Sequence, residues 1–347
     1  MTLRTLQSSS QRKLPTISRG LPVAAALLAS LAACDQPASD ERQNLASPAP
    51  TEHAGTPAIG RFTVPGDGSV NTWWIDAPGG LIVIDFQRDT AAANNAIARI
   101  KATGRPVAAL LLTHPHPDHI GGMDQFKRAF PDARLYASRA SADEIRTDGA
   151  GYQAMTREAV GATAPTRYPQ PDAIIEPNAT LELAGLQIRT LELGAGEAQS
   201  ATVFYVPSAA ALFGGDIAVA GMTDFLMEGR TEPWLAQLDK LASAFPEART
   251  LYPGHGGAGE PARIITGARE GLQLYRAAVR RQIDAGEAPR GHLTAKGLQA
   301  VETEVRTRLG EQPAVALVPQ LVQQNAKAVA GELTSQSNGV GRDGELP

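Results

Sequence analysis

Three of the chain's six histidines stand within six residues, in Thr113-His114-Pro115-His116-Pro117-Asp118-His119. Neutral imidazole nitrogens beside a carboxylate are the donors that suit a borderline cation such as zinc. With alternate spacing in an extended turn, His114 and His116 can face one ion while Asp118 and His119 face a second. Asp118 is also placed to orient a reacting water or to carry its proton. A solvated loop that happens to be rich in histidine is the plain alternative, and the density of ligand types in so short a stretch speaks against it.

Residues of this kind need a rigid support. Val107–Thr113, directly upstream, is a wholly apolar run of the kind buried on both faces of a sheet. Before it, Arg61–Val64, Ser69–Ile75 and Leu81–Phe86 read as strands, with Pro78-Gly79-Gly80 turning the last two into a hairpin. Trp73 and Trp74 should point to opposite faces, one of them into the core. Asp89 N-caps an Ala-rich helix over Thr90–Ala102, which Gly104 and Pro106 stop. Helical stretches follow at Ser138–Thr147 and Gln153–Val160, then strands at Thr180–Leu183, Gln187–Leu193, Thr202–Val206 and Ala211–Phe213. A helix over Thr231–Phe245 and a strand at Thr250–Tyr252 complete this part. Strands in two groups, each followed by helices, predict an α/β sandwich of two sheets with helices outside. Beyond Pro261 the pattern is helical through Ala262–Ala285, Thr294–Leu309 and Ala314–Leu333, and the final residues read as frayed.

The run His114-x-His116-x-Asp118-His119 at a strand end resembles the signature of the metallo-β-lactamase superfamily, and the likeness extends over roughly residues 59–260. Gly214-Gly215-Asp216 resembles the strand end whose carboxylate bridges two metals in that family. Tyr252-Pro253-Gly254-His255 resembles the one whose histidine completes the second metal site. The resemblance implies a four-layer αββα sandwich and a small-molecule hydrolase in which a metal-activated hydroxide cleaves an ester, thioester, lactone or β-lactam bond. Asp85 matches a strand-end Asp that orients ligands in the family, and a simple turn Asp is the competing reading. Met222–Arg230, carrying Phe225, Leu226 and Met227, is a candidate pocket wall, with ordinary core as its competitor.

One position departs from the family. Where a further histidine is usual, this chain has Leu193-Gly194-Ala195-Gly196-Glu197-Ala198, and its remaining histidines, His53 and His292, lie in the wrong places. Glu197 is therefore the group expected to supply the missing ligand, since carboxylate oxygen binds zinc at nearly the distance of imidazole nitrogen. Its added negative charge would raise the pKa of a bound water and open the first site to manganese or iron. Two zinc ions per chain are expected, a single occupied site being the alternative. A silent metal-binding protein of the same fold and a mononuclear iron sulfur dioxygenase are the competing functions.

Composition bounds the rest. The chain has 347 residues, 43% hydrophobic and 20% charged, with a formal net charge of −4. That balance suits a globular enzyme and offers no clustered basic face for nucleic acid. No Gly-x-Ser-x-Gly elbow appears. The one cysteine, Cys34, excludes an internal disulfide. It ends the apolar run Leu21–Ala33, which follows a basic, acid-free stretch as an export signal does and is too short to span a membrane. Leu31-Ala32-Ala33-Cys34 resembles a bacterial lipobox, so residues 1–34 are expected to be a lipoprotein signal, with Cys34 carrying a lipid anchor at the periplasmic face. Asp35 resembles an inner-membrane retention signal. The expected layout continues with a flexible linker over 35–58, a catalytic domain over 59–260, a helical extension over 261–333 and a disordered tail over 334–347. Composition says nothing of oligomeric state.

Overall fold

Alternation along the strands decides the layering, because successive side chains leave a strand on opposite faces. The computed structural model describes residues 55–340, so the expected signal, Cys34, most of the linker and the residues from 341 lie outside what is described. In β1 (Ile59–Phe62), β2 (Thr72–Ala77) and β3 (Gly80–Ile84), neighbours pair antiparallel. From β3 the sheet continues in parallel through β4 (Val107–Leu111), β5 (Arg134–Ser138) and β6 (Ala173–Ile175). A second sheet holds β7 (Thr180–Leu183), β8 (Leu186–Glu192), β9 (Thr202–Val206), β10 (Ala211–Gly215) and β11 (Thr250–Pro253). Its strands run antiparallel except for the β10/β11 pair.

The two sheets face each other. Trp73, Ile75, Ile82, Ile84 and Leu111 from the first meet Ile188, Phe204, Val206 and Phe213 from the second in one buried cluster. The opposite face of the first sheet sends Trp74, Leu81, Val83 and Leu110 against Ala93, Ala96 and Ile100 of α1 (Thr90–Lys101) and Phe126 of α3 (Met123–Ala129). Between these helices in the chain comes the single turn α2 (Pro117–Ile120), and α4 (Arg139–Thr147) and α5 (Tyr152–Val160) follow. The outer face of the second sheet buries Val203, Tyr205, Leu212 and Leu251 against α6 (Thr231–Ala244), α7 (Pro261–Asp284), α8 (Ala295–Leu309) and α9 (Leu321–Val340). This is the expected αββα order. Each fully buried Ile, Leu or Phe contributes roughly 1.5–3 kcal/mol, which is enough to hold the carboxy-terminal helices onto the sheet.

Several expectations change in detail. Both tryptophans are core, Trp73 between the sheets and Trp74 under the helices, because the first sheet is covered on both faces. Strands β5 and β6 are unmarked in the sequence; β5 leads directly into α4, and β6 is three residues long. Ser69–Asn71 leave the ladder of β2: Asn71 N–H donates to Gly254 O at 2.7 Å, and its side chain bonds Pro253 O and Gly256 O. The helix expected over Ala314–Leu333 begins only at Leu321, since Pro319 lacks an N–H and disfavours helical backbone at Val318. Residues 314–318 instead bridge two loops, Ala314 O accepting from Gly68 N and Val315 N donating to Thr223 O. Helix α9 also runs on to Val340, into the stretch read as a frayed tail.

Asp89 caps α1 as expected, its side chain accepting from Ala92 N at 2.8 Å. The glycine pair that ends the histidine motif has a steric reason. A Cβ on Gly121 would lie 2.1 Å from Arg88 O, and one on Gly122 would lie 2.0 Å from Phe86 O and 2.4 Å from the Ala93 Cβ. The motif can therefore press against the loop between β3 and α1 only with glycine at both positions. Gly122→Ala should cost roughly 1–3 kcal/mol of stability through this overpacking, read as a lower urea midpoint at unchanged slope; an unshifted midpoint would contradict the close approach.

Candidate metal centre

Five strand ends supply the chemistry. β3 gives way to Asp85, β4 to Thr113-His114, β8 to the glycine turn bearing Glu197, β10 to Asp216, and β11 to Gly254-His255. Short α2 carries Asp118 and His119 back over the same end. All seven residues singled out in the sequence come together. His114, His116, Glu197 and Asp216 form one group and Asp118, His119, Asp216 and His255 another, each with donor atoms within 4.8 Å of one another. Asp216 belongs to both.

The separations suit shared cations. His116 Nδ1 stands 3.0 Å from Glu197 Oε1, and His114 Nε2 lies 3.7 Å from Glu197 Oε2 and 3.8 Å from Asp216 Oδ2. In the second group His255 Nε2 is 3.0 Å from Asp216 Oδ2 and 3.1 Å from Asp118 Oδ2, and His119 Nε2 is 3.3 Å from Asp216 Oδ1. Ligands bound at about 2.0–2.2 Å around one tetrahedral ion stand roughly 3.3–3.6 Å apart, and the separations here, from 3.0 to 3.8 Å, fall on either side of that range, within the small side-chain shifts that binding an ion would require. A second observation agrees. Among the described residues, five of the seven buried side-chain atoms lacking a hydrogen-bond partner belong here: His114 Nε2, His119 Nε2, His255 Nε2, Glu197 Oε2 and Asp216 Oδ1. Buried polar atoms ordinarily find partners, and five orphans aimed into one space mark a cation site.

Three of the rings are aimed by their outward nitrogens. His119 Nδ1–H donates to Asp85 Oδ2 at 2.8 Å. Asp85 also accepts from Thr113 N at 2.9 Å and from Thr113 Oγ1 at 2.8 Å, and that hydroxyl is left to accept from His114 Nδ1–H at 2.9 Å. His255 Nδ1–H donates to the Ser69 carbonyl. Each bond fixes the tautomer that turns Nε2 inward. Asp85 thus plays the orienting part expected of it. It does so at φ 62°, a left-handed backbone costing roughly 1–3 kcal/mol, which these hydrogen bonds offset. Gly254 serves by absence of a side chain, for a Cβ there would lie 2.0 Å from Asp216 Oδ1 and 2.8 Å from His119 Cε1.

The Glu197 turn is held from α6. Gln237 Nε2 donates to Gly194 O at 2.9 Å, and its Oε1 accepts from Glu197 N at 3.4 Å. Sequence reading missed Gln237, although a polar residue among Trp234, Leu238 and Leu241 on an apolar stripe was a signal. It also missed Thr113 as a hydrogen-bond relay and Ser69, whose contribution is a backbone carbonyl that no side-chain pattern reveals.

Three carboxylates and four imidazoles converge out of water, and the charge must balance. Burial opposes the charged form of His116, yet Glu197 foremost holds its pKa up to about 10. His255 is likewise pushed up to about 10, against burial, chiefly by Asp216. Burial also opposes ionisation of Asp118, but His119 and His255 draw it down to about 2. His114, penalised by burial and by His119, is lowered. His119, like His116 and His255, is raised against burial, chiefly by Asp216. Without a metal, then, protons on His116, His119 and His255 neutralise the carboxylates. That stabilisation is complete below about 6.5, the free-imidazole pKa, and is lost as pH rises through about 10. A metal takes the same nitrogens only in neutral form. Adding zinc to metal-free protein near neutral pH should therefore release protons, and affinity should strengthen as pH rises; zinc uptake with no acidification of a weakly buffered solution would contradict this charge balance.

The sequence profile of the metallo-beta-lactamase superfamily matches residues 65–255. A hydroxyacylglutathione hydrolase of Synechococcus is 28% identical over 173 residues, covering 48% of this chain and 57% of the relative. A linear primary-alkylsulfatase of Pseudomonas is 27% identical over 216 residues, covering 52% of this chain and 40% of the relative. The chain thus spans about half the length of the curated relatives it matches. Among solved structures, a metallo-beta-lactamase family protein of Thermus thermophilus superposes with a TM-score of 0.58 at 20% identity, over 81% of this chain and 94% of that one. A profile match across more than half the chain, paired sheets between helical layers, and a histidine and aspartate cluster at their shared end lead to one conclusion: the chain belongs to the metallo-beta-lactamase superfamily.

Proposed function

We propose that the protein is a hydrolase that holds two zinc ions and cleaves an ester-type bond in a substrate with an apolar body. The observation that carries this reading is the convergence of two four-residue donor groups on a common carboxylate. One ion would be held by His114, His116, Glu197 and Asp216, the other by Asp118, His119, Asp216 and His255. Bound there, the cations supply a water acidic enough to attack at neutral pH and an electrophile for the developing oxyanion. The chain's own groups do the rest. Asp118 lies on the wall of the adjoining pocket with its side chain 20% exposed, and its carboxylate can orient a water at the pocket floor and take a proton from it. Buried Asp85, Thr113 and Ser69 keep three imidazoles from reorienting as charge shifts.

The pocket wall bears on the substrate. Met155, Ala159 and Val160 of α5, Phe225, and Val315 and Leu317 of the segment before α9 surround the approach to His116 and Asp118. Met155 and Leu317, 38% and 39% exposed, are the open large apolar side chains of the described surface, and both stand at this mouth. Arg88 is the one lysine or arginine among the lining residues, and it is already engaged by Asp89 and the Gly68 carbonyl. A wall so poor in free cations does not suit a glutathione thioester, whose peptide carries two carboxylates. It suits an ester whose organic part is an alkyl or acyl chain.

The test is a panel of p-nitrophenyl carboxylic esters, alkyl sulfates, lactones, β-lactams and a glutathione thioester. Apolar esters are expected to turn over fastest, chelation to abolish turnover, and zinc to restore it. Leu317→Arg should raise KM for these esters severalfold with kcat little changed. Turnover that survives chelation, or a preference for the glutathione thioester, would defeat the proposal.

A further inference from the structure

His116 is the one ring of the four that turns its Nε2 away from the donor groups. Its Nδ1 faces Glu197 Oε1 at 3.0 Å, and its Nε2 points to Glu228 Oε1 at 3.4 Å. Glu228 is largely buried, with its side chain 10% exposed, and two further groups hold it. The Tyr152 hydroxyl donates to Oε1, and Arg230 Nη2 donates to Oε2 at 2.6 Å. Arg230 has a second contact, from Nε to Gly196 O at 3.2 Å, in the turn that carries Glu197. Tyr152 also packs edge-on against the His116 ring at 5.3 Å between centroids, and Phe225 does so on another side at 5.4 Å.

From this arrangement we infer that Glu228 is the positioning residue of the first metal site. It fixes His116 in the tautomer that offers Nδ1 to the metal and, through Arg230, ties that ring to the turn that places Glu197. The inference rests on the two-ion reading above and deepens it, since nothing in the ligand pattern itself calls for a carboxylate at 228. Three physical reasons support it. The other three imidazoles each have an outward partner, a carboxylate, a hydroxyl or a carbonyl, and Glu228 is the group that fills this place for His116. A carboxylate behind a metal-binding imidazole raises its basicity and stops rotation about the ring axis. A buried carboxylate is costly unless compensated, and Arg230 and Tyr152 compensate Glu228 while leaving Oε1 within reach of the imidazole.

The position also explains an otherwise idle part of the chain. Glu228 and Arg230 sit between β10 and α6, the link that brings Asp216 to the site on one side and Gln237 to the Glu197 turn on the other. Arg230 occupies the N-cap position of α6 without making a capping bond from its side chain. Its guanidinium is committed to Glu228 and Gly196 instead. Tyr152, from α5, carries the linkage to the pocket wall.

The experiment is zinc binding without substrate, by titration against a chromophoric chelator, in the full chain and in Glu228→Ala, Glu228→Gln and Tyr152→Phe. Glu228→Ala should weaken one of the two ions by about 10–100-fold and leave the other within twofold; Glu228→Gln, which keeps an acceptor for the imidazole N–H, should recover most of the loss. A nitrogen-15 spectrum of the zinc-loaded protein should show a slowly exchanging His116 Nε2–H that Glu228→Ala converts to fast exchange. Should Glu228→Ala fail to fold, Tyr152→Phe, lacking one hydroxyl, must still shift that resonance. Equal weakening of both ions, no weakening, or an unmoved resonance overturns the role of Glu228. An unaltered chain that binds no zinc overturns the two-ion reading itself, an outcome separate from the first.

Discussion

Charge compensation out of water governs this structure. Asp118, Glu197 and Asp216 meet His114, His116, His119 and His255 at the end of a sandwich where all but Asp118 are buried. A space of low dielectric cannot hold such carboxylates unless positive charge enters with them. Protons on three imidazoles meet that demand in the metal-free chain, and cations meet it better, because each engages several donors at once. The outer hydrogen bonds follow from the same demand: an imidazole free to turn would lose the orientation on which both forms depend.

The scaffold explains how residues so far apart in the chain come to share one space. Parallel pairing of β3 with β4 and of β10 with β11 puts the carboxyl ends of these strands side by side, and Asp85, His114, Asp216 and His255 all follow such ends. The facing sheets then bring the two pairs together over a common apolar core. Close approach finishes the work, through glycines at 121, 122 and 254 that let backbone pass where a methyl group could not. The segment at 314–318 closes the pocket from the side, bound between the loops near Gly68 and Thr223.

Much of this was legible in the residues. Donor types at short spacing announced a cation site before any fold was considered, and apolar periodicity announced two sheets with outer helices. Glu197 was reached by noticing that a histidine was missing. The structure brings it to His116 and His114, though its turn is held by Gln237 and Arg230, contacts across 34 residues or more that no local pattern could show. Strands β5 and β6 went unmarked although runs as short were read elsewhere; β5 runs straight into α4 at Ser138, and β6 is three residues without an alternating polar partner. The false helical start at Ala314 came from reading small apolar residues as a helix face across Pro319, where the backbone cannot comply. The two tryptophans were half right, since opposite faces of a strand are both interior when the sheet is covered on both sides.

Replacing a neutral donor with Glu197 gives this centre one more negative charge than an all-histidine first site would have, and the wall beside it is apolar and poor in free cations. Both features underlie the proposed preference for an ester of a lipophilic body over a polyanionic conjugate. The most direct measurement is diffraction from zinc-loaded crystals, with anomalous data collected at the zinc edge. Two peaks are expected, both bound by Asp216, with an oxygen of Glu197 about 2.0–2.2 Å from the one that His116 binds through Nδ1. A single peak, or a Glu197 carboxylate turned away from both, would contradict the two-ion centre.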